Sequence, residues 1–336
     1  MKITRRTIVL GTGALALGAA IRTKAAAAEF TYKFSNNLPA THPLNIRLKE
    51  AADQISEQTG GRLQINIFPS SQLGKDTETL SQLRSGALEF LSLSPLILST
   101  LVSNAAISGI GFAFPDYQAV WKALDGELGS YVRAEIEKKG LVPMEKIWDN
   151  GFRQITSANK PINSPDDLKG FKIRVPPSAL WQSMFTAFGS SPTTINAAEL
   201  YISLSSGTVD GQENPLAVAS TLKLFEVQKH CAMSNHMWDG AWLLANGKAW
   251  EALPEEIRDI VAKALNASAA AQRADTEKLN ATVRGGLERS GMTFTDPDKA
   301  AFRNALSAAG FYATWKGKFG EEAWSTLEKS VGAKLG

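Results

Sequence analysis

Short strand patterns and helical spacings alternate between residues 31 and 96. The strand-like runs are TYKFS, LQINI and ALEFLSLSPL, rich in apolar side chains that alternate with polar ones or form a continuous run. Between the first two runs, apolar residues recur at helical spacing at Leu44, Leu48, Ala51 and Ile55. Residues 77–86 form a second helical pattern. This order is typical of an α/β fold with a mostly parallel sheet.

A second unit of the same kind begins near Lys146. Its clearest strand is FKIRVPP at residues 171–177, where apolar and basic residues alternate until two prolines end the run. Helical patterns follow around Trp181 and in AAELYISLSSG, and VDGQENP ends another strand. Residues 254–290 are rich in Ala and Leu with almost no helix breakers, which predicts one or two long helices. We therefore expect two α/β units that are joined without a flexible linker.

The first 28 residues differ in character from the rest of the chain. A basic start with Arg5 and Arg6 is followed by an apolar run at residues 7–21 and by a tract of alanines. This order predicts an export signal cleaved after Ala28, and the adjacent arginines favour the twin-arginine route. A membrane anchor is the competing interpretation. However, fifteen residues interrupted by three glycines fall short of the ~20 apolar residues that a span needs.

Removal of this segment changes the charge of the chain. Residues 1–28 carry five basic side chains and no acidic ones, so the formal net charge falls from +3 to −2. The exported chain is then weakly acidic, which gives no reason to expect nucleic-acid binding. Its single cysteine, Cys231, cannot form an internal disulfide, so the fold has to rest on its hydrophobic core.

Motifs for metal, cofactor or covalent chemistry are missing from the sequence. The three histidines form no zinc-binding pattern, and there is neither a nucleophile elbow nor a phosphate-binding loop. GTGALA at residues 11–16 matches a dinucleotide fingerprint by letters alone, and it lies within the predicted signal. We therefore expect no metal, no cofactor and no enzymatic activity.

Two arginines near the ends of strand patterns are candidate binding residues: Arg153 follows DNGF, and Arg174 lies in FKIRVPP. Ligands of α/β proteins lie beyond the carboxyl ends of strands, where an arginine can hold a carboxylate through two hydrogen bonds. From spacing alone, a solvated surface arginine remains the alternative for each. Asn214 either presents its amide to a ligand or makes turn bonds. Trp148 and Trp238 adjoin polar loop residues, so a cleft wall competes with core packing.

Four motifs together resemble the solute-binding proteins of TRAP (tripartite ATP-independent periplasmic) transporters. They are FPSSQLGKD, KPINSPDDLKGFKIRVP, ELYISLSSGTVDGQENP and FEVQKHCAMSNH, in the expected order along the chain. The resemblance implies an α/β, type II periplasmic-binding-protein-like fold, with two α/β domains around a central cleft, joined by hinge strands and a long helix. We expect domain I to comprise residues 29–150 and 240–279, and domain II residues 151–239 and 280–336.

The resemblance also implies a binding site. Organic acids are the family's usual ligands, held by an arginine of the KIRVP motif, which is Arg174 here. Arg153 in GFRQ matches a second cleft arginine, and Asn214 in GQENP matches a polar ligand contact. Asn37 in FSNN matches a contact from the first domain, and Asp76 after SQLGK lies in another loop that lines the cleft.

Three positions depart from the members of this family that bind sialic acid. Ser94 and Ile97 stand where those members carry charged residues, and Ala197 stands where they carry an aromatic one. These differences disfavour a polyhydroxylated sugar acid and favour a smaller or more apolar acid. Aromatic, 2-oxo, 2-hydroxy and C4-dicarboxylic acids remain alternatives.

The predicted function is that of a receptor in the periplasm of a Gram-negative bacterium. It would capture one small organic acid anion and deliver it to the membrane permease subunits of a TRAP transporter, acting as a monomer and without nucleic acid. Hinges are expected near Asn150 and Asp239. One alternative is a ligand-binding receptor for a sensor kinase. Another is a periplasmic enzyme acting on organic acids, such as a lyase with Asp149 or Glu213 as base.

Overall fold

The structure, a computed structural model, describes residues 27–336. The predicted export signal lies outside this range except for its last two residues. The described residues form two six-stranded sheets. In chain order the strands are β1 (Phe30–Ser35), β2 (Leu63–Phe68), β3 (Phe90–Leu93), β4 (Leu141–Pro143), β5 (Trp148–Phe152), β6 (Gln154–Ser157), β7 (Lys172–Val175), β8 (Ser191–Thr194), β9 (Gly211–Asn214), β10 (His230–Ala232), β11 (Trp238–Asn246) and β12 (Thr293–Thr295).

Helices cover the sheets and connect their strands. The α-helices of the described range are α1 (Pro43–Gln58), α2 (Asp76–Ser85), α3 (Pro95–Leu98), α4 (Tyr117–Leu124), α5 (Glu127–Glu137), α6 (Ala179–Ala187), α7 (Leu200–Ser205), α8 (Leu216–Thr221), α9 (Gly247–Ala252), α10 (Glu255–Arg289), α11 (Lys299–Ala308), α12 (Phe311–Phe319) and α13 (Glu321–Val331). Shorter 3₁₀ helices lie at Ser103–Gly109, Pro165–Leu168, Ala197–Glu199 and Leu224–Glu226. Between residues 27 and 336, no helix has the length and apolar character that a membrane crossing requires.

The first sheet has the strand order β2-β1-β3-β11-β4, and β5 pairs with β11 as well. β1 is parallel to β2 and β3, because α1 and α2 carry the chain back between successive strands. β11 is antiparallel to β3, β4 and β5. The expectation of a mostly parallel sheet is therefore wrong here. The reason is that β11 enters from the second sheet, so no crossover helix fixes its direction.

The second sheet has the order β12-β10-β6-β9-β7-β8. β7 is parallel to β8 and β9, with α6 between β7 and β8. β6, by which the chain enters this sheet, is antiparallel to β9 and β10. This sheet is therefore also mixed, and the strand-helix-strand units supply its parallel part.

The chain passes between the two sheets at three places in the described range. Phe152 ends β5 and Gln154 begins β6, so Arg153 alone makes the first crossing. Residues 233–237 make the return to β11, and the backbone N–H of Arg153 donates to the Met237 carbonyl at 2.9 Å. The third crossing is α10, a single helix of 35 residues that packs on α1 and α8. Two α/β units with connecting strands and a long helix are present, as predicted.

The C-terminal helices pack against both units. α13 contacts α4 and α5, whereas α11 and α12 contact α6. One hydrophobic cluster joins these helices through buried side chains such as Leu128, Leu180 and Trp324. The predicted domain boundaries at residues 150/151 and 239/240 fall inside β5 and β11. The assignment of residues to two domains stays a prediction.

Candidate functional site

A small cavity lies between the two sheets, near the first and second crossings. Its volume is about 60 Å³, measured over the positions open to the centre of a water molecule. One water needs roughly 10–15 Å³ on that measure, so the cavity has room for only a few water-sized groups. The polar lining from the first unit is Asn37, Asp76, Ser92, Ser94, Asn150 and Asp239. The polar and aromatic lining from the crossing and the second unit is Arg153, Arg174, Trp181 and Asn214.

Arg174 lies on β7, and its side chain is buried in the wall of this cavity. Its Nε donates to the Ile195 carbonyl at 2.8 Å. Its terminal nitrogens have no hydrogen-bond acceptor, and the group forms no ion pair, among residues 27–336. Burial lowers the pKa of Arg174 to about 10, so the group is still a cation at neutral pH. A buried cation that forms no ion pair and keeps free donors is a site for an anion.

Arg153 also lines the cavity, but acceptors of the protein already hold its guanidinium. Its Nε donates to Glu213, and its Nη1 donates to Asp239 Oδ2 at 3.0 Å. Its Nη2 reaches Glu213 Oε1 at 2.9 Å and the Glu213 carbonyl at 2.7 Å. Burial lowers the pKa of Arg153, but the two carboxylates outweigh it and the net pKa lies above its usual value. Arg153 is thus a cation whose donors are held in two ion pairs, whereas Arg174 forms none.

Glu213 lies behind the cavity wall, between Arg153 and His236. Burial raises the pKa of Glu213, but the charge of Arg153 and the His236 hydrogen bond outweigh it, so the net pKa is below its usual value. Burial lowers the pKa of His236, whose Nε2 is 3.2 Å from Glu213 Oε2. The Ser234 hydroxyl lies 2.9 Å from the other ring nitrogen. A neutral ring with its proton on Nε2 satisfies both contacts, so His236 adds no positive charge.

Asp76 and Asn37 form the wall opposite Arg174. Asn37 Nδ2 donates to Asp76 Oδ1 at 2.8 Å. Asp76 Oδ2 is buried and has no hydrogen-bond partner among the residues that the structure describes. Burial raises the pKa of Asp76, and the Asn37 hydrogen bond, the charge of Arg174 and the nearby backbone N–H of Ala197 oppose this rise without cancelling it.

Asp239 and Asn150 complete the wall beside the crossing. Asp239 accepts from Ser94 Oγ at 2.7 Å, from Asn150 Nδ2 at 3.0 Å and from Arg153. Burial raises the pKa of Asp239, and these three partners oppose that rise. Asn150 Oδ1 is a second buried oxygen without a partner inside the described range. Sequence reasoning named Asn150 and Asp239 as hinge candidates only, because no motif marks them as lining residues.

Asn214 lies at the end of β9 and lines the cavity, but both of its polar atoms are engaged in the protein. Its Oδ1 accepts from Arg153 Nη2 at 3.0 Å, and its Nδ2 donates to Gln212. In this state its side chain positions Arg153. A contact to ligand from Asn214 stays a prediction.

Of the two alternatives for Trp148 and Trp238, the structure favours core packing, and a different tryptophan lines the cavity. Trp148 and Trp238 are buried in the core and are absent from the cavity lining within residues 27–336. Trp238 packs on Trp121 and donates to Asp149 at 2.8 Å, and Trp148 packs in the core beneath α1 and α10. Trp181 lines the cavity instead, with its ring 4.8 Å from the Arg153 guanidinium carbon. Its helical neighbours are core residues, so the sequence offered no signal for this placement.

Groups of three or more His, Cys, Asp or Glu that could hold a metal ion are absent from residues 27–336. The cavity offers one cation with free donors, the unpartnered indole N–H of Trp181, two unpartnered oxygens and an apolar lining that includes Leu93, Ile97 and Leu200. Such a set can hold a small anion, with the carboxylate at Arg174 and the remainder against acceptors and apolar side chains.

Known proteins resemble this chain over most of its length. The family model DctP, described as bacterial extracellular solute-binding protein, family 7, matches residues 34–312. The C4-dicarboxylate-binding periplasmic protein DctP of Rhodobacter capsulatus is 32% identical over 310 residues, which cover 91% of this chain and 92% of that protein.

Two crystal structures of TRAP periplasmic solute-binding proteins show a similar fold. The protein from Sulfurospirillum deleyianum, with bound succinate, is 30% identical, with a TM-score of 0.84 and coverage of 91% of this chain and 100% of that chain. The protein from Polaromonas sp. JS666, bound to D-erythronate, is 28% identical, with a TM-score of 0.86 and the same coverage.

Proposed function

The chain belongs to the DctP family of bacterial extracellular solute-binding proteins, and from this premise we propose that it is the receptor of a TRAP transporter. It binds one small organic acid anion and delivers it to the membrane permease. Its relatives are solute-binding receptors rather than enzymes. We infer that the ligand leaves chemically unchanged.

The state of Arg174 is the observation that supports this proposal most directly. A buried cation whose terminal donors have no acceptor is unfavourable, and a bound carboxylate relieves that cost through two charge-assisted hydrogen bonds. Arg153 cannot do the same, because Glu213 and Asp239 already neutralise it. The carboxylate of the ligand therefore docks on Arg174, and Arg153 keeps the crossing and the cavity wall in place.

The position of the lining residues supports closure of the two units around the ligand. Asn37 and Asp76 approach from the first unit, and Arg174 and Trp181 from the second. A ligand that contacts both walls stabilises the closed state, because the open state offers it only one of them. The permease would then recognise the closed receptor.

Export and assembly complete the proposal. We propose that residues 1–28 direct the chain to the periplasm by the twin-arginine route and are then removed. The receptor would act there as a monomer. Size-exclusion chromatography with light scattering of the exported protein measures the assembly state, and N-terminal sequencing measures the cleavage point.

Calorimetry of two glutamine variants tests the carboxylate site. A thermal-shift screen of organic acids first identifies a ligand, because a bound ligand raises the unfolding temperature. Arg174→Gln should then lower affinity by about 10- to 100-fold. Lys172→Gln is the matched control, because Lys172 lies two positions earlier on β7 and is exposed. Wild-type affinity in Arg174→Gln would contradict the proposed site.

Uptake measurements test the delivery step. Cells that carry the permease but lack this chain should not accumulate the acid, and the wild-type chain should restore accumulation. Mass spectrometry of ligand recovered from the protein should show the starting compound. A chemically altered ligand would instead favour an enzyme.

A further inference from the structure

The free hydrogen-bonding groups of the cavity differ sharply between its two walls. Asp76 Oδ2 and Asn150 Oδ1 are buried oxygens without a partner in residues 27–336, and both residues line the cavity. Arg174 and the indole N–H of Trp181 provide donors on the other wall. Unpartnered buried polar atoms are unfavourable, so these groups indicate which atoms a ligand should bring.

Both unpartnered oxygens can act only as acceptors while Asp76 is ionised. Asn150 Nδ2 donates to the carboxylate of Asp239, which accepts only, and this contact fixes the orientation of the Asn150 amide. Asp76 uses Oδ1 to accept from Asn37 and leaves Oδ2 free. The ligand therefore has to present donors, such as hydroxyl groups, to this wall.

The charge balance of the site limits how many carboxylates it can take. The charged side chains at the cavity and directly behind it are Arg153, Arg174, Asp76, Glu213 and Asp239. With all five ionised, this cluster carries one net negative charge. One ligand carboxylate can accept hydrogen bonds from the free donors of Arg174. A second would find no further cation with free donors among the described lining residues and would meet the carboxylates of Asp76 and Asp239.

We propose that the ligand is a short monocarboxylic acid with one or two hydroxyl groups, in preference to a dicarboxylic acid. This inference rests on the proposed function, because it takes the ligand carboxylate to lie on Arg174. A hydroxyl group donates to Asp76 Oδ2, Asn150 Oδ1 or both, and the cavity of about 60 Å³ restricts the carbon chain to a few atoms. Leu93, Ile97 and Leu200 contact that carbon chain.

A matched set of acids tests the proposal by calorimetry. The set contains unbranched monocarboxylates of three to five carbons, their monohydroxy and dihydroxy derivatives, and the dicarboxylates of equal length. The tightest binder should be a hydroxy acid, about 10- to 100-fold tighter than its parent acid, and also tighter than the equal-length dicarboxylate. A parent acid or a dicarboxylate as tightest binder would overturn this inference and leave the role of Arg174 intact. Failure of every acid to bind would overturn both.

The Asp76→Asn variant adds a second measurement. It removes one negative charge and keeps an oxygen that accepts from Asn37, so binding of the dicarboxylate should improve relative to the hydroxy acid. Asp53→Asn, an exposed substitution on α1, is the control and should leave the ratio unchanged. An unchanged ratio in Asp76→Asn would contradict the proposal. If that variant does not fold, the affinities of the wild type for the matched set of acids test the proposal on their own.

The number of protons taken up on ligand binding distinguishes a hydroxy acid from a dicarboxylate held by a protonated Asp76. If Asp76 became protonated on binding, it could donate to a second carboxylate, and a dicarboxylate would bind with uptake of a proton. Titrations in two buffers of different ionisation enthalpy measure this uptake. Tightest binding by a dicarboxylate with uptake of one proton would replace the hydroxy-acid proposal, whereas hydroxy-acid binding without uptake supports it.

Discussion

Lys75 and Glu199 form an ion pair between the two units, with Nζ and Oε1 2.7 Å apart. Lys75 is the N-cap of α2 and precedes the lining residue Asp76, whereas Glu199 lies between the lining residues Ala197 and Leu200. Both side chains are partly exposed, at 41% and 50%. The pair thus joins the two walls beside the cavity and can form only when the units are close together.

Removal of this ion pair should speed ligand release. In Lys75→Gln the dissociation rate should rise by about two- to fivefold, with little change in the association rate, and added salt should reduce the difference. Stopped-flow dissociation at low and high ionic strength measures it. Lys49→Gln removes an exposed pair within α1 and is the control. Equal release rates in Lys75→Gln and the wild type would show that the pair does not stabilise closure.

The Arg153–Glu213 pair should dominate the stability of the crossing. Glu213→Gln removes one carboxylate from a pair whose side chains are 2% and 0% exposed. The free energy of unfolding should fall by roughly 3–5 kcal/mol, because the substitution leaves a buried cation with one counter-charge. Urea denaturation measures this, and Glu288→Gln in an exposed pair on α10 should have a far smaller effect. Similar stability losses in both variants would contradict the expectation.

Asp149 should make the stability depend on pH. Burial raises the pKa of this carboxyl to about 7, while Trp238, Tyr117 and Arg273 oppose that rise. Because the folded-state pKa exceeds the unfolded value, the folded state binds more protons between about pH 4 and 7, and stability falls as pH rises through that window. Between pH 5 and 8, ionisation of this group should lower the free energy of unfolding by on the order of 2–3 kcal/mol.

Asp149→Asn separates this contribution from those of other groups. The amide still accepts from Trp238, but it does not titrate, so the loss of stability between pH 5 and 8 should shrink. Urea denaturation at both pH values measures the difference. Asp166→Asn, at an exposed position, is the control. A pH dependence as steep as that of the wild type would show that Asp149 ionises normally.

Two tryptophans allow a comparison of cavity and core. Trp181 and Trp148 are both buried, and each has an indole N–H without a partner in the described part of the chain. Trp181→Phe should lower ligand affinity by up to about tenfold through the loss of this donor and of packing at the cavity. Trp148→Phe should lower stability alone. Isothermal titration and thermal unfolding of both variants test this. Equal ligand affinities of Trp181→Phe and the wild type would exclude a contact between Trp181 and ligand.

Local patterns in the sequence were sufficient to predict the α/β units, the long helix and the strand that carries Arg174. Each depends on periodicity or on breakers within one segment, as in FKIRVPP, where two prolines end an alternating run. The direction of β11 was not predictable in this way, because it depends on which sheet the chain leaves. Its pairing partners β3 and β5 are distant in sequence.

Which of the two arginines is ion-paired could not be predicted from the sequence. Arg153 meets Glu213 and Asp239, which are 60 and 86 positions away, whereas Arg174 meets neither in an ion pair. Both arginines look alike in their local context, and only the packing of the second sheet on the crossing distinguishes them. The same holds for Trp181, since helical periodicity identifies a buried face but not which buried side chain borders a cavity.

The ion-paired Arg153 at the first crossing affects how the ligand preference of this fold can change. Arg153 is hydrogen-bonded to Glu213, Asp239 and the Met237 carbonyl, so the contacts of the first crossing are complete without any ligand. Apolar lining positions such as Ile97 and Leu93 have no hydrogen bond to this network, so their substitution should leave the Arg153–Glu213 pair in place. If the proposed closure takes place, ligand preference and the integrity of the crossing are therefore separable in evolution, and point substitutions in the apolar lining should adapt one framework to a different acid.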